Sequence, residues 1–313
     1  MHFKLLAILV FIATSTEAHP RESNHHLPAT RIVDKQHYAE FSIQGAKRVM
    51  QTNGIPKHVV GEFPNRGNPH TITPQSQRYE WTTFPKLAQW ITPIDRHLFG
   101  VALNGVPFDP ETAEFFRGDP HSKWKLEAMT TRMARALDAN HAHVQPSGAY
   151  HYHGLPTALI AELEEPFPTM TLVGWSADGF PIYSLYGYKN SINSNSPLVE
   201  LRASYRIRKG NRPSGGNVPQ GPYNGDYTLD WEYVEDSGDL DACNGRYGVT
   251  PEFPEGIYYY VITSGYPFIP RSFMGTPDQS FLNRSTVQNQ PKRSFTDKDR
   301  QMRKVSPLQP KGH

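Results

Sequence analysis

The sequence predicts a mainly β protein, β-sandwich-like and built from many hairpins, with one or two short helices. Three observations carry that prediction. Turn formers are abundant, with 24 glycines and 28 prolines in 313 residues. Aromatic strand formers are abundant as well, with 16 tyrosines and 16 phenylalanines. Finally, short aromatic or β-branched runs adjoin Asn53-Gly54, Asn104-Gly105, Asp178-Gly179 and Asn224-Gly225. Tight hairpin turns need positive φ at both central residues, which Asn-Gly and Asp-Gly supply.

Residues 1–18 read as a secretory signal peptide: Lys4, an apolar run from Leu5 to Ala13, and small residues Thr16 and Ala18 before the cleavage point. The run is too short to span a membrane, and no later stretch approaches about 20 apolar residues. The expectation is a secreted, periplasmic or extracellular chain that does not cross a membrane. Residues 19–30 follow as a flexible tether. Cleavage after Ala18 would expose His19, whose amine and ring can together chelate copper.

The domain is expected over 31–282. FGVALNGVPFDP (99–110) and GWSADGFPIYS (174–184) read as hairpins, and GPYNGDYTLDWEYV (221–234) as a turn into a strand. SKWKLEAMTTRMARALD (122–138) is the best helix candidate. Trp124, Met129, Met133 and Leu137 recur at near-helical spacing, with Ser122 as N-cap. TALIAELEE (157–165) is a second, shorter candidate. Residues 197–220 are polar, basic and rich in Gly and Pro, and read as an exposed loop. GAYHYHG (148–154) is echoed by GIYYYVI (256–262), with Tyr259 and Val261 where the first string has two histidines. Duplication and coincidence both explain the echo at this stage.

The net charge of +2 is uneven. Residues 283–313 hold eight Lys/Arg against two Asp/Glu, a net of +6, and read as a disordered basic tail. The 19–282 body is then about −4, which excludes nucleic acid as its partner by charge. Asn283-Arg284-Ser285 is a glycosylation sequon, meaningful only on a eukaryotic secretory route. The single cysteine, Cys243, excludes an internal disulfide, so the core or a metal must stabilise the exported fold. Cys243 itself reads as a buried small hydrophobe, a metal ligand or a reactive thiol.

The informative segment is HAHVQPSGAYHYHG (141–154). Side chains at i and i+2 share one face of a strand. Gln145-Pro146-Ser147-Gly148 fits a type I turn with Gly148 in the left-handed region. That turn sets Gln145 opposite Ala149, His143 opposite His151, and His141 opposite His153. Opposed residues point to one side with Cβ atoms about 5 Å apart. All four imidazoles then converge, while Ala142, Val144, Tyr150 and Tyr152 face a core. A one-residue slip would undo this. Three or four neutral imidazoles on a rigid hairpin suit copper or zinc, with a free coordination position for chemistry. The bland alternative is a set of hydrogen-bonded histidines on an ordinary hairpin.

Asp236, Asp239, Asp241 and Asn244 offer oxygen ligands for calcium, although their spacing misses the EF-hand pattern. A capped turn also accounts for them. Arg246 and Arg271 can pair with acids or hold an anionic substrate.

Five strings together resemble the YHYH-domain family of secreted proteins: NGIPKHVVGEFPNRGNP (53–69), FGVALNGVPFDP (99–110), HAHVQPSGAYHYHGLP (141–156), GWSADGFPIY (174–183) and LDACNGRYGVTPEFPEG (240–256). The resemblance spans about residues 50–275 and implies an exported domain without an established activity. It also leads one to expect asparagine at the His141 position in some relatives, which favours His143, His151 and His153 as the core of the site. By analogy, G-x-Y-x-Y-H strings occur in copper-binding β-sandwiches of the cupredoxin and multicopper oxidase type, but analogy of fold does not establish function.

The function expected is therefore a secreted metal-binding protein using copper or zinc, an oxidoreductase or metal-assisted hydrolase if it is an enzyme. The rival is a non-catalytic extracellular module that binds carbohydrate or peptide through its aromatic side chains. The partner is then a small molecule or a glycan. A metal-free hydrolase using Cys243 or a serine with histidine ranks last, since no nucleophile-elbow string is present.

Overall fold

Strands form where the aromatic and β-branched runs were noted, and glycines close the turns between them. The computed structural model describes residues 33, 35–163 and 168–282. The expected signal peptide (1–18), tether (19–30) with His19, and basic tail (283–313) with its sequon lie outside the described residues.

In chain order the first strands are β1 (Ala39–Gln44), β2 (Lys47–Thr52), β3 (Gln77–Thr82), β4 (Thr92–Pro93), β5 (Gly100–Ala102), β6 (Pro107–Phe108), β7 (Ala142–Val144) and β8 (Tyr150–Tyr152). After helix α1 (Thr157–Leu163) come β9 (Thr171–Ser176), β10 (Pro181–Ser184), β11 (Tyr186–Tyr188), β12 (Leu198–Glu200), β13 (Tyr205–Ile207), β14 (Trp231–Tyr233), β15 (Gly245–Gly248), β16 (Ile257–Ile262) and β17 (Ser272–Phe273).

Eight strands make one mixed sheet in the order β15-β16-β10-β9-β5-β6-β8-β7. Its pairs are antiparallel except β10–β16 and β6–β8. Both predicted hairpins are there, as β5–β6 and β9–β10, with Gly105 (φ +80°) and Gly179 (φ +94°) supplying the positive φ. A second sheet, β1-β2-β3, meets the first through side chains of β2, β3 and β9. Trp81 of β3 stacks on Trp175 of β9 at 6.4 Å, and the Arg48 guanidinium lies 4.1 Å over the same indole. Val101, Phe99, Phe108, Tyr150 and Tyr152 join this main core. A smaller cluster of Met170, Tyr183, Leu201, Leu240, Tyr259 and Val261, with partly buried residues of β11 and β12 packed against it, forms a second apolar centre. Among the described residues the fold is therefore mainly β, with one short α-helix and a few 3-10 turns.

Two expectations need correction. Residues 122–138 are not a helix; they run as extended chain and turns, with one 3-10 turn at Ala134–Ala136. Lys125 bridges to Phe115 and Leu126 to Tyr227, while the Trp124 ring meets Tyr227 edge-on at 5.8 Å. Ser122 Oγ accepts from the Trp124 amide at 3.1 Å, closing a local turn instead of capping a helix. Tertiary partners have outweighed a helical spacing that was only a weak prior. The second helix candidate is α1; residues 164 and 165 of it lie outside the described residues.

The 197–220 segment is likewise not plain loop, since it contributes β12, paired with β11, and β13, paired with β14. It is tied down by a buried ion pair. Asp230 takes Arg212 Nε at 2.8 Å and Nη2 at 2.6 Å, and also accepts the Gly225 and Tyr227 amides. Removing one partner strands a buried guanidinium. Asp230→Ala is therefore expected to cost about 3–5 kcal/mol, read as a lowered urea midpoint with an unchanged slope. A midpoint equal to wild type would show that this pair does not hold the segment.

Candidate metal centre

The turn between β7 and β8 forms as its residue types dictate. The Gly148 amide donates to Gln145 O at 2.8 Å, and the Gln145 amide to Ala149 O at 2.9 Å. Gly148 has φ +83°, and a Cβ there would lie 1.9 Å from Thr73 Oγ1. Only glycine satisfies both the backbone and the packing. The strands then pair Ala142 with Tyr152, His143 with His151 and Val144 with Tyr150.

Two tyrosine hydroxyls on the core side pin this register. Tyr150 donates to Asp138 Oδ2 at 2.7 Å. Tyr152 lies 2.5 Å from His58 Nε2 and accepts from Asn104 Nδ2 at 2.9 Å. His58 Nδ1 faces the Val59 carbonyl at 3.0 Å, so it carries the proton, and Nε2 accepts from Tyr152.

On the opposite face, His143, His151 and His153 bring one ring nitrogen each into a common centre. His151 Nε2 and His153 Nε2 are 3.0 Å apart, and His153 Nε2 and His143 Nε2 are 3.1 Å apart. The three rings stand at 69–81° to one another with centroids 4.5–4.7 Å apart, like the blades of a propeller. His151 Nδ1 faces the Ala149 carbonyl at 3.3 Å, which leaves its Nε2 as a lone pair. His153 Nε2 touches both other nitrogens but has a single site, for a proton or a lone pair, so one of its two contacts is left unsatisfied. A cation at the centre removes that conflict. Zinc–imidazole bonds of about 2.0–2.1 Å place nitrogens about 3 Å apart in common geometries.

Burial sets the charge state. His151 and His153 are each 2 % exposed, and His143 is half-buried. Burial pushes His143 down to about 4, with His70 adding repulsion. It drives His151 and His153 well below the ordinary range too, with repulsion from neighbouring imidazoles and, for His153, from Arg271. All three are neutral at physiological pH, the state that ligates a metal.

His141 stands apart from the trio. It adopts a left-handed φ of +53°, and its Nδ1 donates to the Leu155 carbonyl at 2.8 Å. Its backbone still serves the hairpin, since the His153 amide donates to His141 O at 2.7 Å. The strand alternation ends at Ala142, which is why the fourth imidazole leaves the face.

Several polar neighbours carried no signal in the sequence. Asp109, directly after β6, is buried and raised to about 7 by desolvation, with Lys125 and Arg271 offsetting part of it. Its amide donates to Tyr152 O. Glu127 is buried against Arg271, which lends the Arg271 reading its acid partner. His58 was visible only as one histidine among fourteen. A cavity of about 50 Å³, lined by Gln77, Leu98, Pro107, Gln145, Ala149 and His151, abuts the hairpin.

The remaining candidates fall elsewhere. Asp241 accepts from the Cys243 and Gly245 amides and from Tyr258, and Asp239 pairs with Arg202. Asn244 donates to Val261 O and Thr263 Oγ1. Asp236 also lies in the left-handed region, at φ +59°. This is the capped turn: the Asp241 and Asp239 carboxylates are taken by protein donors, while Asn244 Oδ1 is buried without a hydrogen-bond partner. Cys243 is fully buried in the main core, and burial pushes its thiol well up, which removes the reactive-thiol reading. Arg246 donates to the Tyr259 hydroxyl at 2.6 Å.

The model of a family described as YHYH protein matches residues 78–275. No curated protein and no solved structure gives a significant match.

The neutral imidazoles carry a pH signature. An unfolded histidine protonates near 6.5, but His143 in the fold resists down to about 4. Between those values the unfolded state binds more protons, so this group's contribution destabilises the metal-free fold increasingly as pH falls. The stability of metal-free His143→Leu should therefore depend on pH less steeply than wild type, by about 1.4 kcal/mol per pH unit between pH 4 and 6.5. Urea melts at stepped pH measure this; parallel curves would place a charged His143 in the fold.

Proposed function

The chain belongs to the YHYH protein family, and from the centre that its YHYH strand builds we propose an exported metal-binding protein holding one copper or zinc ion on His143, His151 and His153. The observation that supports this reading is the mutual approach of three Nε2 atoms, of which the central one, on His153, has a single site and can satisfy one of its two contacts. The donor set is neutral and contains no thiolate, which suits copper or zinc better than calcium. Such an ion keeps its full charge and an open coordination position, and supplies Lewis acidity or, as copper, electron transfer. Metal-assisted hydrolysis and oxidation of a small molecule are the two reaction classes this permits. Half-buried His143 marks the side from which solvent and substrate reach the centre. Export is supported by Lys4 and the apolar run from Leu5 to Ala13. No helix among the described residues is long and apolar enough to cross a membrane.

One observation favours the non-catalytic alternative. Phe84, Leu87 and Trp90 are 72 %, 48 % and 42 % exposed on one stretch of chain, a surface suited to glycan or peptide.

Elemental analysis of the protein purified from its native export route tests the reading. One equivalent of copper or zinc is expected in the wild type, and less than a tenth of that in His151→Ala/His153→Ala. A folded wild type that takes up neither metal overturns the proposal. Glycan binding unchanged by chelator would then favour the alternative.

A further inference from the structure

The echo between GAYHYHG and GIYYYVI extends through the whole eight-stranded sheet. Strands β9, β10, β15 and β16 repeat the arrangement of β5, β6, β7 and β8, in order, direction and hydrogen bonding. The halves meet at β5–β9, where the Leu103 amide donates to Val173 O and the Ala177 amide to Phe99 O, both at 2.9 Å. Gly100 faces Ser176 there and Gly174 faces Ala102, so the junction maps onto itself when the halves are exchanged.

Side chains repeat as well. Tyr150 donates to Asp138 at 2.7 Å, and Tyr258 to Asp241 at 2.9 Å. Each aspartate also accepts two amides of its own loop, Asn140 and Ala142 in one half and Cys243 and Gly245 in the other. Tyr152 bonds Asn104 at 2.9 Å, and Tyr260 bonds Asp178 at 2.6 Å. Gly148 and Gly256 open the two tyrosine strands at φ +83° and +91°. His141 and Asn244 share a left-handed φ of +53° and +55° and accept the amides of His153 and Val261 respectively.

We infer that the sheet is two copies of one four-strand unit, and that Arg246, Tyr259 and Val261 occupy a latent second metal-site frame equivalent to His143, His151 and His153. Arg246 pairs with Tyr259 across β15–β16 as His143 pairs with His151 across β7–β8. In the second copy the frame is filled by protein. Arg246 Nε donates to Tyr259, its Nη2 donates to Tyr188 O at 2.7 Å, and β11 lies over it. A Cβ on Gly187 would come 2.9 Å from that Nη2. One half carries the chemistry and the other half carries a plug, so the wild-type stoichiometry is one ion per chain. The zinc arm of the test rests on the metal reading above; the folding arm does not.

The full chain is assayed with zinc as the probe. Arg246→His/Tyr259→His/Val261→His should raise the stoichiometry from one zinc to two. Combined with His151→Ala/His153→Ala, it should retain one. A folded triple variant with unchanged stoichiometry overturns the latent frame. Tyr259 and Val261 are buried, so the reverse exchange is measured too: His143→Arg/His151→Tyr/His153→Val should fold without metal and melt no lower than metal-free wild type. Failure of both exchanges to fold overturns the equivalence. A wild type that binds no zinc beside a folded reverse exchange overturns the proposed function and leaves the duplication standing.

Discussion

Everything at the candidate centre depends on how two tyrosine hydroxyls are held beneath β8. Strand side chains alternate, so fixing Tyr150 and Tyr152 toward the core fixes His151 and His153 away from it. Apolar burial of the rings alone would tolerate a slip, because many aromatic residues fill this core equally well. The hydroxyls do not tolerate it. A phenol removed from Asp138, or from the His58 and Asn104 pair, would be left buried without a partner, at a cost of about 1–3 kcal/mol each. The polar contacts below the strand thus specify the geometry above it.

Neutrality follows from the same burial. Three imidazoles crowded within hydrogen-bond distance cannot share more than one positive charge at reasonable cost, and desolvation penalises even that one. The fold therefore presents lone pairs as a group. Close by, Arg271 and Lys125 offset part of the desolvation of Asp109, Arg271 does the same for Glu127, and Arg271 also acts on His153. The three nitrogens themselves form a set without a carboxylate.

Much of this was legible in the sequence because local rules governed it. The Gln145–Gly148 turn, the His143–His151 register and the two Asn-Gly and Asp-Gly hairpins depend on neighbours within a few residues. Where distant partners decide, the sequence misleads. Residues 122–138 had helical spacing, but Tyr227 and Arg271, more than a hundred residues away, draw Trp124, Leu126 and Glu127 into other contacts. His141 failed for a subtler reason. Its alternation with His143 was correct, but the strand begins one residue later, and a left-handed turn residue follows no alternation. The echo of 148–154 in 256–262 was visible as seven letters. Its extent was not, since its strongest support is a set of tyrosine-to-acid contacts that no string reveals.

The two outermost strands of the large sheet bear on how this chain meets its own copies. β7 and β15 are only three and four residues long, and side chains and loops meet them from outside: Asn68 donates to Val144 O, and the Val249 amide donates to Ser191 O just beyond β15. Such edges offer little template for strand addition. β1 differs. It is six residues long, pairs among the described residues only with β2, and leaves Phe41 and Ile43 47 % and 64 % exposed. Among the described residues, this edge of the three-stranded sheet is therefore an aggregation hazard, far in sequence from the histidines, and a charged residue at position 43 would relieve it without reaching the centre.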